Sequence, residues 1–336
     1  MLLGRAPLRI SFSGGGTDLE EYHSRYDGYT ISSTINKYTY VIAKFRRDNL
    51  FQGFSPDFAS HLPPKEHHKI TPLQGHEIVV AGLKEMNFSK GVDMFLSTDV
   101  EANSGLGASS SLTANLVNVI LALQRKKWNK NKIAMKAYEI GHDILKWGIG
   151  KQDEFAAVYG GLNIFKFTKD KVTSERIKLN KATEEELQNN SMLFHLGKRS
   201  HSANILKAQI SAIKKSNPIT ISALHKVKEL TLDMRDALRN NDLVRFSEII
   251  NESWVEKRKY TKGISNPRIE AVSRIAFSGG ATALKVTGSG GGGHMYVFTK
   301  PSRHHTIEVA LRKFGVPKVD FIYQKKGAMV LDIDTL

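Results

Sequence analysis

Residues 102–111, Ala-Asn-Ser-Gly-Leu-Gly-Ala-Ser-Ser-Ser, lead directly into the apolar positions Leu112, Leu116, Val119 and Leu123. That spacing predicts a helix with Ser109 to Ser111 at or near its N-terminus. Such a start constrains the fold twice. The apolar stripe has to be buried against other elements, and the first backbone N–H groups lack partners inside the helix. The helix dipole favours negative charge at that end, and glycine lets a ligand approach the main chain closely. The combination suits a phosphate group. The serine hydroxyls suit helix capping, contact with phosphate oxygens or a share in holding Mg2+. An ordinary serine-capped helix after a turn would use the same residues.

Two further glycine-rich segments sharpen this reading. Residues 5–18 are Arg-Ala-Pro-Leu-Arg-Ile-Ser-Phe-Ser-Gly-Gly-Gly-Thr-Asp, and residues 285–298 are Lys-Val-Thr-Gly-Ser-Gly-Gly-Gly-Gly-His-Met-Tyr-Val-Phe. Gly288, Gly290 and Gly293 spell G-x-G-x-x-G, but a dinucleotide fingerprint must open a helix. Here the glycines lead into another strand-like run, which argues against a Rossmann site. The chain also lacks G-x-x-x-x-G-K-[ST] and the H-R-D and D-F-G signatures of protein kinases.

Together and in order, the three segments resemble the motifs of the GHMP kinase superfamily, which includes galactokinase, homoserine kinase, mevalonate kinase and phosphomevalonate kinase. Residues 150–163, Gly-Lys-Gln-Asp-Glu-Phe-Ala-Ala-Val-Tyr-Gly-Gly-Leu-Asn, resemble the region of its catalytic aspartate. The joint form of residues 5–18 and Gly-Lys-Gln-Asp is similar to the branch of D-glycero-D-manno-heptose 7-phosphate 1-kinases and fucose 1-kinases. The resemblance spans essentially the whole chain. It implies an α+β architecture of two domains, residues 1–180 like the ribosomal S5 second domain and residues 190–336 ferredoxin-like. It also implies ATP and Mg2+, with transfer of the γ-phosphate to the anomeric hydroxyl of heptose 7-phosphate. The 1,7-bisphosphate would feed nucleotide-activated heptose. A 1-kinase for an unphosphorylated sugar such as fucose, or a binding protein that has lost catalysis, are the alternatives.

By the same resemblance, Asp153 is the catalytic residue that faces the acceptor hydroxyl, Arg9 neutralises charge beside it, and Lys151 adds a cation two residues away. Ser104, Gly105, Leu106, Gly107, Ala108, Ser109 and Ser110 form the nucleotide-binding loop, with Ser109 nearest Mg2+. The family's magnesium-binding glutamate would fall on Gly141, a departure that favours the non-catalytic alternative. Glu139 and Asp143 share a helix face and could substitute, although a solvated polar face accounts for them equally. Gly15, Gly16, Thr17 and Asp18, with Gly290 and Gly291, are expected around the sugar; Asp18 also reads as a helix cap. Arg199, in Gly-Lys-Arg-Ser-His-Ser, loosely matches a cationic segment of the branch and is the candidate for the distal phosphate. Lys257 and Arg258 are rivals for that role.

Composition bounds the remainder. A chain of 336 residues can bury a sizeable core, and it contains no cysteine, so disulfides and thiolate chemistry are excluded. No apolar run is long enough to span a bilayer, and the start enters a motif at once, so a cytoplasmic enzyme without signal peptide or membrane association is expected. Formal net charge is +16, but the lysines are dispersed. Attraction of ATP and a sugar phosphate, or plain surface solvation, accounts for them without nucleic acid. A homodimer is compatible with the sequence, which does not set the assembly.

Strands are expected at 8–12, 39–45, 92–95, 162–167, 192–195, 283–286, 295–299, 320–323 and 328–331. The proline- and histidine-containing stretch 46–74 reads as an irregular surface excursion without a metal site, and the polar stretch 169–190, charged and amide-rich over 181–190, as an inter-domain crossing. Helices are expected around Leu224, Val227, Met234 and Leu238, over 243–254 and over 305–314.

Overall fold

The computed structural model describes all residues except 72–74, 102, 198–201 and 336. Strand β1 (Leu2–Ser13), helix α1 (Glu20–Tyr26) and the long strand β2 (Gly28–Phe45) open the chain. They are followed by β3 (Leu50–Ser55), β4 (Ser60–Glu66), α2 (Glu77–Glu85), β5 (Val92–Thr98), α3 (Ala108–Leu123) and α4 (Lys130–Glu139). Helix α5 (Gln152–Tyr159), β6 (Asn163–Phe167) and β7 (Val172–Arg176) complete this part.

The sheet runs β11-β1-β2-β5-β3-β4, where β11 is Met329–Asp332, and β6 joins β2 and β7 beside it. One stretch of β2, Gly28–Ser32, pairs with β6, and another, Thr39–Phe45, pairs with β5. Pro7, which cannot donate a ladder bond, lies at a register shift between β1 and β2. Alternation along β1 then sorts its side chains. Leu8, Ile10 and Phe12 enter one apolar core. Arg9 and Ser11 reach the opposite side, toward α5.

The second part contains α6 (Lys181–Asn189), β8 (Ser191–Gly197), α7 (Ser202–Lys214), α8 (Pro218–Arg239) and α9 (Leu243–Lys257). Then come α10 (Pro267–Ser278), β9 (Ala283–Val286), β10 (Gly293–Phe298) and α11 (His304–Lys313). A three-stranded antiparallel sheet has the order β8-β10-β9. Helices α8 and α9 lie between the two sheets: Leu230, Met234, Phe246 and Ile250 share one core with Leu8 and Ile10 of the first sheet and Leu193 and Tyr296 of the second. The predicted apolar face of α8 is buried throughout.

Three local expectations change. Residues 46–74 are not merely irregular, because β3 and β4 pair there and β3 adds in parallel to β5. Pro63 and Pro64 are accommodated because β4 is an edge strand. The polar stretch from 181 is helical, started by the Asn180 side chain, which accepts from the Thr183 N–H at 2.8 Å. Residues 320–323 contribute only an isolated bridge, Tyr323 with Ile35, and β11 after them pairs with β1. The chain end thus returns to the first sheet, beyond the expected division near residue 190.

Candidate active site

A cleft between the two parts collects the motif residues. Its floor is the start of α3. Gly105 and Gly107 have φ of 81° and 78°, the left-handed region that favours glycine. A Cβ on Gly107 would approach Asp153 Oδ2 at 3.1 Å, so the loop lies close against that carboxylate. No side chain caps the first turn of α3, and Ser111 is the first residue whose N–H returns to the helix, to Gly107 O at 2.9 Å. The N–H groups before it lie where an anion is favoured. Ser109 and Ser110 line the cleft. Ser111 turns away and donates to Pro7 O at 3.1 Å, which anchors the helix on β1.

Arg9 ties this loop to Asp153. Its Nε and Nη2 donate to Asp153 Oδ1 and Oδ2 at 2.7 and 2.6 Å, and Nη1 donates to Gly105 O at 2.7 Å. The two-pronged pairing fixes the carboxylate's plane as well as its position. Arg9 is buried, whereas the Asp153 side chain retains 24% exposure toward the cleft. It is the reachable half of the pair.

Asp18 sits opposite. Its Oδ1 accepts from Gly16 N at 2.8 Å and Oδ2 from Gln152 N at 3.2 Å. Burial, reinforced by the Asp153 charge, pushes its carboxyl up from the ordinary range. A Cβ on Gly150 would fall 2.1 Å from Asp18 Oδ2, so the close approach requires glycine there. Ser11 donates to Gln152 Oε1 at 3.1 Å beside it.

Several expected residues occupy other places. Leu106 is buried in the core, and its carbonyl accepts from Arg9 N at 3.0 Å. Lys151 does not line the cleft; its Nζ lies 5.2 Å from the centre of the Tyr138 ring, and burial lowers its pKa. Thr17 donates to Gly14 O and Tyr29 O, both at 2.8 Å, and holds the turn rather than facing the cleft. Of the C-terminal glycine segment, Gly288 and Ser289 reach the cleft, while Gly290 and Gly291 pack on Ile264 and Ile205. Glu139 pairs with Lys136 at 2.6 Å and Asp143 with His142 at 2.7 Å, and neither lines the cleft. Arg199 lies outside the described residues.

The far wall contains residues that carry no motif: Leu206 and Gln209 of α7, and Lys257 at the end of α9. Among the described residues, Gln209 Nε2 is buried without a hydrogen-bond partner. Lys257 donates to Gly288 O. Arg258 points elsewhere, to Glu270 at 3.1 Å. A lone glutamine on an amphipathic helix gives no sequence signal, and only its apposition to Gly16 reveals it.

Oxygen donors suited to Mg2+ are present at the floor. The Ser109 and Ser110 hydroxyls and the Asp153 carboxylate line it, whereas the neighbouring Glu154 is fully buried behind Ser110 and does not reach the cleft. Burial, with Asp153 next to it, pushes the Glu154 carboxyl up to about 8, against the lowering effect of the nearby Ser110 hydroxyl.

Residues 76–161 match the GHMP kinases N terminal domain, and residues 234–316 match the GHMP kinases C terminal region. The chain belongs to the GHMP kinase family. It is a phosphotransferase with an alcohol acceptor, a sugar kinase that groups with heptose and fucose kinases. The D-glycero-alpha-D-manno-heptose 7-phosphate kinase of Campylobacter jejuni is 27% identical over 333 residues, covering 96% of each chain. The L-fucokinase/L-fucose-1-P guanylyltransferase of Bacteroides fragilis is 24% identical over 88% of this chain, which spans 34% of that larger protein. A D-glycero-D-manno-heptose 1-phosphate kinase from Bacteroides thetaiotaomicron shares the fold, with a TM-score of 0.82 at 23% identity and 99% of both chains covered. In this GHMP kinase, no helix among the described residues is long and apolar enough to cross a membrane.

Proposed function

We propose that this GHMP kinase transfers the γ-phosphate of ATP to the anomeric hydroxyl of D-glycero-D-manno-heptose 7-phosphate, giving the 1,7-bisphosphate. The observation that carries the chemistry is the Asp153 carboxylate, held by the Arg9 fork against the uncapped start of α3. The loop N–H groups and the Ser109 and Ser110 hydroxyls would bind the triphosphate. Asp153 accepts the proton of the anomeric hydroxyl, its oxygen bonds to the γ-phosphorus, and the bond to the β-phosphate oxygen breaks to release ADP. A magnesium ion bound with the nucleotide would supply charge neutralisation on its phosphates. Asp18 accepts hydrogen bonds from sugar hydroxyls, and Gln209 faces the same region.

The sugar assignment is supported by the heptose kinase relative, which matches end to end. Lys257, on the far wall of the cleft, is the candidate for contact with a distal phosphate. The fucokinase relative favours the second reading, a free sugar as acceptor. ADP release with Mg-ATP across heptose 7-phosphate, free heptose, fucose, galactose and mannose separates them. Turnover confined to heptose 7-phosphate and lost in Asp153→Ala is the expected result. Turnover on a free sugar would shift the assignment to the second reading, and none on any acceptor would remove the catalytic one.

A further inference from the structure

A second cavity lies apart from the catalytic cleft and shares no lining residue with it. Its volume of about 600 Å³ falls within the roughly 300–1,000 Å³ of small-molecule sites. Ser33 of β2 lines it and is the register partner of Ile10, so the cavity lies on the face of the first sheet opposite Arg9. Leu162, Ile177, Leu179, Leu187 and Ile322 give it apolar walls, and Ser33 offers a hydroxyl.

The charges around this cavity are unevenly matched. Glu184 is neutralised by Lys325 at 2.6 Å, and Glu185 lies 3.8 Å from Lys181. Arg176 and Lys178 also line the cavity, and neither has an acidic partner among the described residues; Arg176 Nη2 donates to Lys325 O at 3.3 Å. The guanidinium is nevertheless seated. A Cβ on Gly161 would fall 1.4 Å from Arg176 Nη1, so it occupies space that glycine alone leaves. Packing around it lowers its pKa, as expected of a cation desolvated without a counter-charge. A guanidinium fork pairs carboxylate or phosphate oxygens two at a time. We propose that this cavity is a second binding site, for a small amphipathic organic anion whose carboxylate or phosphate meets Arg176 and whose apolar body lies among Leu179, Leu187 and Ile322.

The test is fluorescence titration of the full chain with 8-anilinonaphthalene-1-sulfonate, an apolar body with one anionic group, in saturating ADP to keep the dye from the catalytic cleft. One site is expected. Its affinity should fall at least about tenfold in Arg176→Gln, which removes a charge-assisted contact. A similar fall is expected in Ile322→Glu, which sets a negative charge among the apolar walls. Arg176 is exposed and Ile322 is 61% exposed, so neither substitution opens the core. Lys126→Gln removes an equal charge from an exposed position elsewhere and should leave the affinity unchanged. The uncharged dye N-phenyl-1-naphthylamine should bind more weakly and show no dependence on Arg176. Displacement by phenyl phosphate or by phenylacetate distinguishes the two anionic groups. A change of less than about threefold in either Arg176→Gln or Ile322→Glu would overturn the proposal. Equal affinity for the uncharged dye, or displacement by neither competitor, would do the same.

Discussion

At the scale of single residues, the pair Arg9 and Asp153 concentrates the chemistry. Arg9→Lys keeps the charge but loses the planar fork, so one of the two charge-assisted contacts goes. Such contacts contribute about 1.5–3 kcal/mol, and kcat is expected to fall roughly 10- to 100-fold in steady-state assays. Asp153→Asn should cost about 10²- to 10⁴-fold in kcat with ADP affinity retained by calorimetry. His23 governs a different property. It is buried, and desolvation, reinforced by the Lys151 charge, lowers its pKa to about 4. The unfolded chain then binds the proton first as pH falls. Stability present above pH 6.5 is lost progressively toward pH 4, by up to about 3 kcal/mol. His23→Leu should flatten that part of a urea-denaturation profile against pH; an unaltered slope would assign it to other groups.

At the scale of elements, two contacts position the catalytic helices. The Ser111 hydroxyl fastens α3 to the β1 carbonyls, so Ser111→Ala should lower unfolding free energy by about 1–2 kcal/mol with little change in m-value. Gly150 lets the loop before α5 close over Asp18. Gly150→Ala would force that loop away, and a raised KM for the sugar with smaller change for ATP is expected. The elements also show where sequence reading was sufficient. The periodic face of α8 and the β-branched runs of β1, β2 and β5 were legible because local spacing reports burial. Strands β3 and β4 were not, because their prolines and charges look like loop and are tolerated only through an edge position that sequence does not display.

At the scale of the molecule, the two parts are joined twice. Helices α8 and α9 place one apolar core between both sheets, and β11 crosses back to pair with β1 from Leu2 to Arg5. A chain ending at Ala328 would leave that edge of β1 unpaired. Calorimetry should show a lower melting temperature with a single transition, because the shared core couples both sheets; two separated transitions would contradict that coupling.

The sequence alone determined the three glycine motifs and the mixed helix–strand architecture, while the meeting of Asp153 and Arg9 was implied only by the family resemblance. The first two are legible because turn chemistry and hydrophobic period are local properties of the chain. Tertiary structure decided which motif residues face the cleft. Gly288 and Ser289 do and Gly290 and Gly291 do not, Lys151 lies against Tyr138, and Gln209 and Lys257 supply the far wall. It also decided that Glu154 is buried behind Ser110 while its neighbour Asp153 reaches the cleft. Those outcomes depend on the order in which distant elements pack, and a side chain's partner across 100 residues or more leaves no trace in its own neighbours, as Arg9 and Asp153, 144 positions apart, illustrate.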